Sequence, residues 1–146
     1  MRKFEIAKGF EEKDVVIPVR ATCKSAGYDL RSLETYTLKP GERHTFATGL
    51  KACMEDDEVL YIFVRSSMAI KKGVRLSNSV GVIDADYYSN PDNDGHIMVS
   101  LFNFSDKDVE ILAGDRIAQG IFMKYLATDD DVASGERKGG FGSTNK

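Results

Sequence analysis

Four side chains with complementary chemistry fall close together between residues 74 and 88, VRLSNSVGVIDADYY: the amide of Asn78, the carboxylates of Asp84 and Asp86, and the ring of Tyr87. An amide donates and accepts at once and so reads the edge of a polar planar ligand. A carboxylate can orient and deprotonate a water. An aromatic face can pack against a sugar. Asn78 precedes Asp84 by six residues, and side chains at even separations in an extended segment share a face. The stretch therefore predicts a strand that presents both groups to one surface. An Asp-rich strand end is also the composition of a solvated turn, and these residues alone do not choose between the two.

A second chemistry-bearing stretch lies at the other end of the chain. Residues 137–144, RKGGFGST, place two cations, three glycines and two hydroxyls around Phe141. Glycines let backbone N–H groups approach an anion, Arg137 offers a charge-assisted fork, and Ser143 and Thr144 add donors. A floppy terminus has the same composition. The pattern is not a phosphate loop of the GxxxxGK[ST] type. Cys23 and Cys53 lack a CxxC partner and His44 and His96 are isolated, so free thiols and no His-ligated metal are expected.

The elements that must position these groups read as strands. With 146 residues, 42% hydrophobic and 29% charged, the chain fits one domain with a real core. The net charge of −3 gives no general attraction to nucleic acid. There is no run of 18 apolar residues and no N-terminal apolar segment, so no membrane association and a cytoplasmic location are expected. Strands are predicted at 4–7 (an edge), 36–38, 42–53, 59–64, 97–104 (covered on both faces) and 116–126, while Pro18 keeps 17–19 out of any central strand. Residues 39–41 and 89–95 are turn-rich, and 105–108 reads as a hairpin turn into a strand at 109–112. One helix is expected, 66–72, with a serine cap and Gly73 as its stop. The sum is an all-β sandwich, jelly roll or barrel over residues 1–126, followed by an acidic linker and Gly-rich arm over 127–146.

Five segments in fixed order narrow this further: Ala26-Gly27-Tyr28-Asp29-Leu30, Arg65-Ser66-Ser67, Gly81-Val82-Ile83-Asp84-Ala85-Asp86-Tyr87, Gly114-Asp115-Arg116-Ile117-Ala118-Gln119, and Arg137 to Thr144. The set closely resembles the five motifs of the trimeric dUTPases and spans nearly the whole chain. The resemblance implies a jelly-roll-like β-barrel, a homotrimer with active sites between subunits, Mg²⁺, and hydrolysis of dUTP to dUMP and pyrophosphate, which keeps uracil out of DNA and supplies dUMP. Residue by residue, it implies Asp84 as the base, Gln119 as a positioner of the attacking water, and Asp29 as the metal residue, acting through water. Arg65, Ser66 and Ser67 would bind the non-scissile phosphates. Asn78 and the backbone near Met98 would read uracil, with Gly81, Val82 and Ile83 also at the substrate. Tyr87 would pack beneath the deoxyribose and exclude a 2′-hydroxyl. Phe141 would stack on the base from a third chain, while Arg137, Gly142, Ser143 and Thr144 close over the phosphates. Asp86 has no assigned role, and Asp115 with Arg116 reads as a structural pair.

One departure stands out. Short family members pass from this tyrosine to a glycine within a residue or two, whereas here Tyr87 reaches Gly95 only after residues 88–94. Aligning Gly95 with the usual glycine makes this a lengthened tip, similar to those of Gram-positive bacterial and phage members. Two alternatives accompany the enzyme reading. A dCTP deaminase, a relative of the same fold, would need a glutamate where Ser100 stands. A nucleotide-sensing regulator would bind dUTP and a protein partner, and Asp84 with Gln119 argues against pure binding.

Overall fold

The computed structural model describes residues 1–140. These form strands β1 Lys3–Ile6, β2 Tyr28–Arg31, β3 Tyr36–Leu38, β4 Arg43–Cys53, β5 Glu58–Val64, β6 Val74–Leu76, β7 Gly81–Asp84, β8 Ile97–Asn103, β9 Val109–Ile111 and β10 Arg116–Lys124. One four-stranded sheet has the order β1-β4-β8-β6, a second has β2-β10-β5-β7, and β3 pairs with β9. Neighbouring strands are antiparallel throughout. Leu30, Phe46, Leu60, Ile97, Leu101 and Ile117, all fully buried, join the sheets in one core. This is the all-β, jelly-roll-like architecture that the strand pattern predicts. Among the described residues no helix is long and apolar enough to cross a membrane.

Several local expectations are corrected. Residues 74–88 do not form one strand. β6 belongs to the first sheet and β7 to the second, and the chain changes sheets through a turn in which Ser79 N–H donates to the Leu76 carbonyl (3.1 Å) and Ser79 adopts φ +65°. β8 alternates buried and half-buried residues, so it is fully covered on one face only. Residues 105–108 do not make a hairpin, because β9 pairs with β3 rather than β8. The helix is a π-helical turn, Ser67–Lys71, and Ser66 already has helical dihedrals with no capping bond from its side chain. The Arg65 carbonyl accepts from the N–H groups of both Met68 (3.0 Å) and Ala69 (3.2 Å), while Met68 is tucked into the core. A second helical element, the 3-10 turn Ala85–Tyr87, follows β7 and carries no periodicity that a sequence pattern reveals.

The N-terminal edge is held by a charged clamp. The Glu58 side chain, at the start of β5, is only 3% exposed and accepts from Arg2 Nε (3.0 Å), from the Arg2 Nη2 group and from Glu55 N–H (3.1 Å). The guanidinium bond, followed by the backbone bond, draws the Glu58 carboxyl from its usual 4.5 down to about 2. A depressed carboxyl contributes stability above its unfolded value and loses it as the pH falls through the folded one. Arg2→Ala should therefore lower the melting temperature most above pH 5, with the gap to wild type closing between about pH 4.5 and pH 2. A gap independent of pH, followed by calorimetry, would show that Arg2 stabilises the fold through something other than the Glu58 carboxylate.

Candidate active site

β7, the 3-10 turn that follows it and the 77–80 turn open onto a cleft of about 280 Å³. Gly81, Val82, Ile83 and Asp84 form one wall, Met98 and Ser100 of β8 the other, and Asn78, Tyr87, Arg137 and Gly140 complete the lining. Asn78 thus shares a surface with Asp84, but through a turn between two sheets rather than by strand alternation. Met98 lines the same cleft despite the insertion that precedes it. Ser100 carries no charge there, and its hydroxyl pairs with that of Ser77 at 2.7 Å.

Tyr87 is 4% exposed. Its hydroxyl donates to the His96 carbonyl (2.7 Å) and accepts from the Asn93 amide (2.7 Å). Burial pushes the phenol above its ordinary range, so it stays protonated at neutral pH. His96 is buried too, which lowers its pKa, and its Nε2 accepts from Gly49 N–H (3.0 Å), as a neutral imidazole must. Gly95 closes the tip at φ +78°, and a β-carbon there would lie 2.5 Å from the Tyr87 carbonyl oxygen. Both facts require glycine.

Asp84 and Asp86, each about half exposed, meet one cation. Arg137 Nε donates to Asp86 (2.7 Å) and Arg137 Nη2 to Asp84. The bond to Asp86, reinforced by both negative charges, raises the guanidinium pKa further. The arm thus lies across its own chain's cleft, with Arg137 on carboxylates rather than free to face phosphate. The pairing gives Asp86 a contact that its place in the motif does not disclose. Phe141, Gly142, Ser143 and Thr144 lie outside the described residues.

The remaining candidates gather elsewhere. Asp29 on β2 sits between Arg65 (3.2 Å) and Arg116 (3.5 Å), its side chain 14% exposed. Arg116 therefore pairs with Asp29 and not with Asp115, which instead accepts from Leu112 N–H (2.9 Å). Gln119 on β10 is in register with Asp29 and lies against Gly27, while Ser66 and Ser67 follow Arg65 into the π-helical turn. Asp29, Arg65, Ser66, Ser67 and Gln119 do not line the cleft. Asp84 pairs across to Val59, and Val59 to Met123, four residues along β10 from Gln119. Two strand spacings and four residues of rise put the α-carbons of Asp84 and Gln119 about 16 Å apart. Gln119 lies against Gly27 and is not among the residues that line the cleft with Asp84.

The chain therefore gathers its candidates in two groups, Asn78, Asp84, Tyr87 and Arg137 around the cleft and Asp29 with Arg65 and Arg116 away from it. Among the described residues no three His, Cys, Asp or Glu side chains converge as a metal cage.

Comparison with known proteins gives this division a context. Residues 13–145 match the dUTPase family model. The chain is 49% identical over 146 residues to the deoxyuridine 5'-triphosphate nucleotidohydrolase of Lactococcus lactis, covering 99% of this chain and 97% of that one. It is 37% identical over 138 residues to the protein of that description from Actinobacillus succinogenes, covering 89% and 87%. The crystal structure of dUTPase from Streptococcus mutans matches with a TM-score of 0.78 and 44% identity over 87% of this chain and 98% of that one. The dUTPase from phage phi11 of S. aureus, at 19% identity and a TM-score of 0.73 over 98% and 99% of the two chains, shares the fold. With the match running through both groups and nearly half of all positions identical to one relative, the chain belongs to the dUTPase family.

Proposed function

We propose that this chain hydrolyses dUTP to dUMP and pyrophosphate, the reaction for which its relatives are named, at a site that two copies complete together. The observation that carries the reading is the cleft itself, where a half-exposed carboxylate, Asp84, stands beside an amide, Asn78, and a buried aromatic, Tyr87. The Asn78 amide can accept from N3–H and donate to O4 of uracil, with the β8 backbone at Met98 and the wall of Gly81, Val82 and Ile83 limiting the space for a larger base. Tyr87 lies beneath the deoxyribose. Asp84 orients a water toward the α-phosphorus and takes its proton as the bond to the pyrophosphate oxygen breaks in line.

Arg65, with the hydroxyls of Ser66 and Ser67, neutralises the leaving pyrophosphate, and Gln119 steadies the attacking water. None of these residues lines the cleft that holds Asp84 in its own chain, which supports their being supplied by a neighbour. Such an interface is heterologous and closes as a ring, in keeping with a homotrimer. Asp29 is the residue that would hold a hydrated magnesium ion, with the phosphates rather than a protein cage providing most of its charge partners. That ion would supply charge neutralisation on the triphosphate. A triphosphate also gives Arg137 a stronger partner than two exposed carboxylates, so substrate entry frees Asp84 for its task.

Pyrophosphate release measured in parallel with dUTP, dCTP, dTTP and UTP tests the reading. The expected kcat/KM on dUTP exceeds each of the others by about 10² or more, as a site built to hydrogen-bond one base edge achieves. Comparable rates on dCTP, or none on dUTP, would overturn it.

A further inference from the structure

The lengthened tip is a built structure. Ser89, Asp94 and Gly95 all adopt left-handed backbone, with φ of +58°, +59° and +78°. Two of these are not glycine, and such conformations persist where the surroundings over-determine them. The surroundings here are specific. Asp94 accepts from Lys51 Nζ (2.8 Å) and from Lys8 N–H (2.8 Å), tying the tip to the body of the domain. Asn93 Oδ1 accepts from Gly95 N–H (3.1 Å), which fixes the amide so that Nδ2 faces the Tyr87 hydroxyl.

We propose that Asn93 is a positioning residue for Tyr87, and that the tip serves to hold the ring that screens C2′ of the sugar. The inference rests on the reading in which Tyr87 packs beneath the deoxyribose. The phenol has one proton, which it gives to the His96 carbonyl. With that bond alone, the hydroxyl can travel on an arc about the carbonyl oxygen. The second bond, from Asn93, pins it. Steric rejection of one hydroxyl depends on ring placement to a fraction of an ångström, so the pin is felt in specificity. In this chain the lengthened segment of residues 88–94 supplies Asn93.

The experiment compares kcat/KM on dUTP and UTP for wild type, Asn93→Ala, Tyr87→Phe, their double variant and Tyr87→Ala, with melting temperatures alongside. Asn93→Ala should cut the dUTP-to-UTP ratio about three- to tenfold, the scale of one hydrogen bond. Most of the change should come from a better KM on UTP. The double variant should lose little beyond the larger single loss, because both changes remove the same bond. A purely structural role would lower the melting temperature of Asn93→Ala and leave the ratio in place, and that result would overturn the proposal. Should Asn93→Ala not fold, Tyr87→Phe removes the bond from its other end, and an unchanged ratio there is equally decisive. An unchanged ratio in Tyr87→Ala would instead remove the reading of Tyr87 itself, so the two failures are separable.

Discussion

Asp84→Asn is expected to bind dUTP and fail to hydrolyse it, with turnover lowered by about 10² to 10⁴, the range for loss of a general base. Geometry favours Asp84 over its neighbour. It ends β7 and lines the cleft, whereas Asp86 lies in the 3-10 turn and outside the lining. The substitution also changes the charge that a triphosphate meets. Removing one carboxylate leaves Arg137 with Asp86 alone, so the guanidinium is easier to draw toward phosphate. A non-hydrolysable dUTP analogue should consequently bind the variant as well as wild type or more tightly, as read by calorimetry. Near-normal hydrolysis would end the assignment of the base. Weak analogue binding would mean that Asp84 holds substrate rather than activating water.

The second large effect is recovery of activity from two dead proteins. Asp84→Asn keeps the phosphate cluster and lacks the base, and Arg65→Ala is its converse. Denatured and refolded together in equal amounts, they should regain about a quarter of the wild-type activity. Each site then draws its base from one chain and its arginine from the next, and each draw succeeds half the time under a heterologous arrangement. A site made within one chain gives no recovery, provided that mass measurements show mixed assemblies. The same mixture made with a truncation after Glu136 asks where the arm works. Residues 127–136 are exposed along their length, and ten extended residues reach about 30 Å. Recovery near a quarter places the arm on another chain's cleft. No recovery places it where the single chain shows it, on its own Asp84.

Much of this was legible in the residues, though unevenly. Alternation and turn chemistry predict the strands because a two-residue period and a Pro-Gly turn are local properties, and β3 begins and ends where they place it. Asn78 shares a cleft with Asp84, as alternation predicts, but from the turn between the two sheets. A sheet change through residues 77–80 does what alternation was expected to do, since the pattern of apolar residues cannot tell a strand from two strands in different sheets. Asp86 remained unassigned because its partner lies 51 positions away on the arm. Asp115 and Arg116, adjacent in sequence, suggested a pair. Asp115 lies before β10 and accepts from Leu112 N–H in the preceding turn, while Arg116 begins the strand and turns to Asp29. Least legible was the arrangement of the site. The order of motifs along a chain says which groups are present and nothing about whether one copy can bring them together.

If two chains complete each site, as proposed, the separation of Asp84 from Gln119 also makes the reaction depend on protein concentration. A lone chain holds the parts of a site without the site, so activity per chain should vanish on dilution below the point where copies part, and return on concentration. Mass action then works in the other direction as well. Substrate that touches two chains at once binds only the assembled form, so dUTP favours assembly and delays the loss. Abundant substrate would then hold the protein in the state that hydrolyses it.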